Sequence, residues 1–281
     1  MRKRTISKEE QEFLDNYDSS KYPQPSVATD IAVFSVSNKD VDNYRKLPER
    51  KLQILLVKRG DYPYKDCYAL PGGFVKPTES IDECAKRELM EETHINYSFL
   101  QQLRTFSTPD RDDRAWIISA AYLALVDSDK FTVTAGDDAK DAAWFDVELE
   151  ELDDGIVILR LLHENIVLES KLQDVSTRND VVFKYNTLEY DELLSFDHSE
   201  IIVCALMQLR LWIKDTSLAF RLLPEHFTLT QLQQVHETVR GVRLLTPAFR
   251  RKISDYVEET GKTTTDEGHR PAKLYREIEK E

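Results

Sequence analysis

One stretch constrains this chain more than any other: GFVKPTESIDECAKRELMEETHI, from Gly73 to Ile95. Within it Gly73, Glu79, Arg87, Glu88, Glu91 and Glu92 stand at fixed spacing. Ser80 with Glu83 three residues on is a capping box, which starts a helix by satisfying its free N–H groups. Ile81, Cys84, Ala85 and Leu89 follow at helical spacing and are expected to form the buried face. Residues three and four apart share a helix face, so Glu88, Glu91 and Glu92 project together. Carboxylates that close repel one another unless a multivalent cation sits among them. Mg²⁺ suits the position, because it takes hard oxygen ligands and keeps waters that a phosphate can replace. It would neutralise a diphosphate and lower the pKa of an attacking water. The Gly72-Gly73 pair lets the backbone come close, and the Gly73 carbonyl is a further ligand candidate. Arg87 is expected to fix Glu79 across the loop through a charge-assisted fork.

The rest of the chain frames that stretch. Its 281 residues suffice for two ordinary domains. With 51 acidic against 38 basic residues the net charge is −13, which argues against general polyanion binding but leaves room for one locally basic surface. The three cysteines, odd in number and without CxxC spacing, read as reduced thiols rather than a disulfide framework or a zinc site. No apolar segment follows the basic start MRKRTISKEEQEFLDNYD, so it is not a secretory signal. The run Ile201 to Leu206 is too short to cross a bilayer. A cytoplasmic protein with no membrane partner is expected.

Residues 7 to 17 read as a polar helix, and strands are expected at Asp30–Val36, Lys51–Lys58, Trp116–Val126 and Ala142–Val147. Strands alternating with one long helix imply a mixed α/β layer architecture. Residues 151–192 hold two extended pieces, Ile156–Leu162 and Val181–Tyr185, and a turn at His163–Asn165. They read as an insertion forming a surface hairpin or dimer contact, in preference to a substrate lid. From Phe196 the texture turns helical. An amphipathic helix spans His198–Ile213, and a second, capped by Thr228, ends at Gly241. A third starts at Thr246-Pro247 and runs to about Thr260. Lys262–Thr265 and Lys273–Arg276 then form a ribbon. Three helices and a ribbon outline a winged helix-turn-helix. Its third helix carries Arg250, Arg251 and Lys252, with Arg243 before it and Arg270 and Lys273 in the wing. These residue types suit groove docking and phosphate contact. Asp255, Glu258, Glu259, Asp266 and Glu267 are interspersed, so a plain solvated face stays open as the other reading.

Gly73, five residues, Glu79, seven residues, Arg87-Glu88-Leu89, one residue, Glu91-Glu92: this pattern resembles the Nudix box of the MutT-like hydrolases. The resemblance implies hydrolysis of a nucleoside diphosphate linked to another moiety. Glu88, Glu91 and Glu92 would bind Mg²⁺ or Mn²⁺, and Arg87 with Glu79 would hold the loop. The family's glycine is replaced here by His94, which puts the helix exit in question. Thr105–Leu125 (TFSTPDRDDRAWIISAAYLAL) is similar to ADP-ribose pyrophosphatase-type members. That likeness assigns Arg111 and Arg114 to the substrate, while Asp110, Asp112 and Asp113 leave a surface ion-pair network as the alternative. No general base is fixed by sequence; Asp137, Asp138 and Glu148 are candidates. LTQLQQVHETVRG, FRRKI, GHRPAKLY and the run Phe196, Asp197, His198, Glu200, Ile201, Ile202 resemble the winged-helix half of Nudix-related transcriptional regulators. In that group the Nudix domain senses ADP-ribose or a sugar, and its box is often degraded. Here every box carboxylate is kept.

The expected architecture is α+β. A helical extension (1–25) precedes a Nudix α/β/α sandwich with a mixed sheet (26–196), and a winged-helix domain (197–281) follows. The expected function is metal-dependent cleavage of an ADP-ribose-like diphosphate, coupled to operator DNA, in a homodimer. The alternative is a regulator of NAD or sugar metabolism that senses the ligand without turnover.

Overall fold

Strand β1 (Ser26–Asn38) is buried along both faces, and the rest of the molecule is arranged around it. Ile31 and Val33 point to one side, Ala32, Phe34 and Val36 to the other. A strand covered twice reads as a continuous apolar run, as this one does. The computed structural model describes residues 6–38, 50–94, 97–127, 142–214, 216–264 and 271–278.

β1 pairs in parallel with β6 (Ile117–Leu125) and antiparallel with β2 (Arg50–Lys58) and the short β4 (Gly72–Phe74). The other strands are β3 (Tyr68–Ala69), β5 (Phe99–Phe106), β7 (Ala142–Glu151), β8 (Ile156–His163), β9 (Ile166–Asp174) and β10 (Tyr185–Glu189). Their order is β10-β9-β8-β7-β2-β1-β6-β5, with β3 on β2 and β4 on β1, so the sheet is mixed. Helix α2 (Ile81–Thr93) covers one face, where Ala85 and Leu89 meet Ile31, Val33, Leu55 and Tyr122. Helix α3 (His198–Trp212) covers the other, where Ile201, Ile202, Ala205 and Leu209 join Phe34, Ile54 and Phe145. That second core continues without a break through the short α4 (Thr216–Ala219) into α5 (Leu229–Arg240) and α6 (Thr246–Ile253), by way of Leu218, Leu232, Val235, Val239, Phe249 and Ile253. A ribbon of β11 (Val257–Thr263) and β12 (Lys273–Glu277) completes the winged helix. Helix α1 (Lys8–Asp15), capped by Ser7, buries none of its residues.

The sandwich and winged helix are those expected, and several local features differ. Ile81 is exposed in the first turn of α2, one turn ahead of the residues that pack on the sheet; Cys84, Ala85 and Leu89 are the buried set. Residues 151–192 extend the main sheet: β8 pairs with β7, and β9, which the sequence reading missed, pairs with β8 around a Glu164-Asn165 turn. Of the piece Val181–Tyr185, only Tyr185 is in a strand, opening β10. Helix α3 is buried around nearly its whole circumference rather than amphipathic, because the sheet lies on one side and α5 on the other. Helix α6 ends at Ile253, not near Thr260, because Val257, Glu258 and Glu259 pair with Glu277, Arg276 and Tyr275 in the ribbon.

Candidate functional site

The box forms where β4 brings its glycines against the start of β1 and the last turns of α2. Gly72 and Gly73 pair with Asp30 and Thr29. A Cβ on Gly72 would fall 2.0 Å from the Thr29 carbonyl oxygen, and one on Gly73 would fall 2.4 Å from a Glu88 carboxylate oxygen. Gly72 therefore excludes a side chain, because backbone lies there, whereas one at Gly73 would have to displace the Glu88 carboxylate. The Gly72 N–H donates to Glu92 Oε2 at 2.9 Å. Helix α2 opens with the full capping box: Ser80 Oγ accepts from the Glu83 N–H, and Glu83 Oε2 accepts from the Ser80 N–H. It closes at His94, which adopts the left-handed conformation itself (φ 54°, ψ 24°) and donates its N–H to the Met90 carbonyl. Histidine is among the side chains that tolerate this region, so the exit turn forms without the glycine.

Arg87 is the hub of the box. Its Nε and Nη2 form a fork on Glu79 at 2.9 and 2.6 Å, as the spacing implied. The same guanidinium also reaches Glu88 at 2.5 Å and Glu91 at 3.0 Å through Nη1. The Arg87 hydrogen bonds, with the Lys76 N–H, hold the Glu79 carboxyl down at about 2. Glu92 behaves in the opposite way. Burial pushes its carboxyl up to about 7; the Gly72 N–H opposes the shift, and the Glu88 and Asp30 carboxylates add to it. A desolvated carboxylate pressed by two others is a hard-oxygen donor set short of positive charge, so the residues fit a divalent cation. As the side chains stand, Arg87 holds Glu88 and Glu91, and no group of three such ligands among the described residues is gathered to hold an ion.

Beneath the box lies a buried polar network. Asp30 heads the apolar part of β1. Its Oδ2 accepts from the Ser119 hydroxyl at 2.6 Å and from Arg111 Nη2 at 3.3 Å, and its Oδ1 faces His198 Nε2 at 3.4 Å. Burial alone would raise this carboxyl, but His198, then Arg111 and Ser119, hold it well below the usual carboxylate range. Arg111 is only 5% exposed, and its Nε and Nη2 donate to both oxygens of Asp197 at 2.8 and 2.5 Å. Arg114 is 39% exposed and forks onto Asp112 at 2.9 and 2.6 Å. It stacks within 5.2 Å of the Phe74 ring centroid and 5.4 Å of the Phe196 centroid. Arg59, just past β2, lies 5.0 Å from the same Phe196 ring and is fixed by the Pro63 carbonyl at 2.9 Å. The two arginines thus differ in kind. Arg111 is locked into architecture, whereas Arg59 is half-buried and Arg114 exposed.

Asp137, Asp138 and Arg270 lie outside the described residues. Glu148, the remaining base candidate, is exposed on β7 and lines a cavity of about 360 Å³ with Arg50, Lys51, Asp146, Glu237 and Arg243; no box residue lines it.

In the winged helix, α5 is held by a capping box of Thr228 and Gln231 and by Gly241 in the left-handed region, φ 66°. Phe249 and Ile253 turn α6 inward, which leaves Arg250, Arg251 and Lys252 exposed. Arg250 and Arg251 have no carboxylate partner among the described residues, while Lys252 Nζ donates to the Lys214 carbonyl at 3.2 Å. Arg243 is 87% exposed beside Glu237, and Lys273 pairs with Glu259 at 2.9 Å. His236, buried between α5 and α6 against Phe249, is pushed down to about 4 by burial, with Lys252 and Arg240 adding to the shift.

Comparison with known proteins places this geometry. Residues 45–161 match the NUDIX domain and residues 219–276 the NrtR DNA-binding winged helix domain. The chain is 32% identical over 271 residues to the ADPR responsive transcriptional repressor NtrR of Acinetobacter baylyi, covering 95% of this chain and 88% of that one. It belongs to the Nudix family, with an NrtR-type winged helix. A MutT/nudix family protein from Enterococcus faecalis has the same overall structure, with a TM-score of 0.68, 30% identity, and coverage of 98% of this chain and 100% of the other. The ADP-ribose pyrophosphatase of Methanocaldococcus jannaschii is 42% identical over 99 residues, which is 35% of this chain and 57% of that enzyme.

The Nudix site also holds residues that sequence reasoning passed over. Asp30 was included in an apolar strand, although a carboxylate at the head of such a run is itself a signal of a partner. Arg59 follows β2 with no local pattern to mark it. Phe196 and His198 stood in the sequence as part of a likeness to regulators, and only the fold brings them under the box. Among the described residues no helix is long and apolar enough to cross a membrane.

Proposed function

We propose that this protein is a metal-dependent Nudix hydrolase that cleaves the diphosphate of an ADP-ribose-like nucleotide, and that its winged helix binds operator DNA. The observation that carries the catalytic half is a box that keeps all its carboxylates, with Glu92 desolvated beside Glu88 and Asp30. Glu88, Glu91 and Glu92, with the Gly73 carbonyl, would hold Mg²⁺ or Mn²⁺. When bound, the ion supplies charge neutralisation for the diphosphate. Arg87 and Glu79 hold the loop in place, Arg114 and Arg59 face the anionic substrate, and Arg111 fixes the wall behind them. The ligand class follows the two relatives, one named for responding to ADPR and the other for hydrolysing ADP-ribose.

The regulatory half follows the exposed cations of α6. Arg250, Arg251 and Lys252 would meet DNA with Arg243, Arg270 and Lys273 alongside, in a homodimer reading a two-fold site. The division into 1–25, 26–196 and 197–281 belongs to the same reading, with α3 joining the two functional units. Three free thiols, two of them buried, favour the cytoplasm.

A second reading, sensing without turnover, is favoured by one contact: Arg87 already occupies Glu88 and Glu91. ADP-ribose with Mg²⁺, followed for AMP release and binding heat together, separates the two. Turnover that disappears in Glu92→Gln supports the enzyme; tight binding without AMP supports the sensor; neither signal rejects the ligand class.

A further inference from the structure

Phe196 stands where the Nudix site meets the helix leading to the winged helix. It is a bulky residue with φ 53°, a left-handed backbone that crowds its Cβ against the following carbonyl. Such a conformation persists only where its surroundings over-determine it. Here Arg59 lies 5.0 Å and Arg114 5.4 Å from its ring centroid, with the Tyr64 ring at 4.6 Å and the His198 ring at 5.5 Å. Two guanidinium groups of like charge are therefore drawn around one ring, Arg59 half-buried and Arg114 exposed. An incoming diphosphate offers each of them a stronger, charge-assisted partner.

The next residues begin α3. Asp197 grips Arg111 with both oxygens, and His198 accepts the Leu70 N–H on Nδ1 at 2.9 Å. Fifteen residues long and almost wholly buried, α3 then runs to the winged helix. Near its far end Arg210 Nε donates to the Val239 carbonyl of α5 at 3.2 Å, while Nη1 reaches Glu151 at 2.8 Å. One packed helix is thus fastened to the ligand side at its first turn and to the DNA side at its last. We infer that Phe196 is a latch between the two: a diphosphate engaging Arg59 and Arg114 draws them off its ring, Phe196 leaves the left-handed conformation, and α3 carries the shift to α5. This rests on the ligand reading proposed above. Release of Phe196 from its left-handed conformation would supply the second state such coupling requires. Phe196 is a positioning residue, acting through the arginines and α3.

The test uses full-length protein, the α,β-methylene analogue of ADP-ribose with Mg²⁺, and a duplex from the protein's own upstream region. In the wild type, saturating analogue should speed amide exchange at residues 197–204 by about 5-fold or more and weaken duplex binding roughly 5- to 100-fold. Phe196→Leu keeps an apolar side chain but cannot gather two cations. Its duplex affinity should change by less than about 2-fold on saturation, while Phe196→Tyr retains wild-type coupling. The ratio is read at saturation, so weaker ligand affinity or lower stability alone does not move it. Wild-type coupling in Phe196→Leu would overturn the latch, as would unchanged exchange at 197–204 in the wild type despite binding heat. Should the leucine variant fail to fold, wild-type exchange alone decides. Absence of any binding heat rejects the ligand reading, and the latch with it.

Discussion

Around α2, charge is packed inward: Glu79 and Glu88, with the more exposed Glu91, share Arg87, and Glu92 is pressed among carboxylates, opposed by the Gly72 N–H and the Arg59 charge. On α6 charge is turned outward, and Arg250 and Arg251 stand in solvent without a carboxylate among the described residues. The contrast follows from what each surface has to meet. A small anion with a metal needs a few donors held within fractions of an ångström before it arrives, which takes burial and buttressing. A polymer of phosphates is met by mobile, solvated cations, whose contribution is the counterions they release. Burial makes a box residue hard to replace, whereas exposure makes a cation on α6 one contributor among several.

Mutations that strike the packed side should have the largest effects. Glu92→Gln keeps an acceptor for the Gly72 N–H, so the fold should hold while AMP release falls roughly 10²- to 10³-fold, measured against a thermal melt of the same preparation. Wild-type turnover in that variant would remove the contrast altogether. The two box glycines divide the packed side further. Gly72→Ala meets backbone at Thr29 and should lower stability by about 3 kcal/mol in a urea titration. Gly73→Ala meets only the movable Glu88 carboxylate, so it should melt near the wild type yet turn over about 10-fold more slowly. Equal loss of stability in both would mean that Glu88 cannot give way.

His236 supplies a pH test of the other unit. Its pKa falls from 6.5 unfolded to about 4 folded, so the unfolded chain binds the proton first. Stability from this group is complete above pH 6.5 and is lost as pH falls towards 4, on the order of 3 kcal/mol in all. Glu92 works the opposite way. Its folded value near 7 exceeds 4.5 unfolded, so its contribution is present below 4.5 and is lost as pH rises through 7. The two offset each other in the whole protein, and the His236 part emerges as wild type minus His236→Phe between pH 4 and 6.5. A flat difference would show that this histidine is not kept neutral by burial. The smallest effect belongs to the exposed side. Arg250→Ala or Arg251→Ala should weaken the duplex about 5- to 10-fold and flatten the salt slope by about 1, leaving AMP release and dimer mass unchanged.

What the sequence determined by itself is whatever depends on spacing along one element. The capping box at Ser80, the cap at Thr228, the turn at Gly241 and the fork from Arg87 to Glu79 all follow from short-range geometry, and all were legible. The likeness to Nudix proteins came from the same local register. Only the tertiary structure decided which residues from distant segments meet. Asp30, Ser119, Arg111 and Asp197 are far apart in the chain and form one buried network, and Arg59, Arg114 and Phe196 converge from three loops. It also set the register of β9 on β8 and the end of α6, where strand pairing overrode a helical pattern. Helix caps and i, i+4 pairs are fixed by bonded neighbours. Buried ion pairs and sheet edges depend on which surfaces the collapsed chain brings together, and no window of sequence contains both partners.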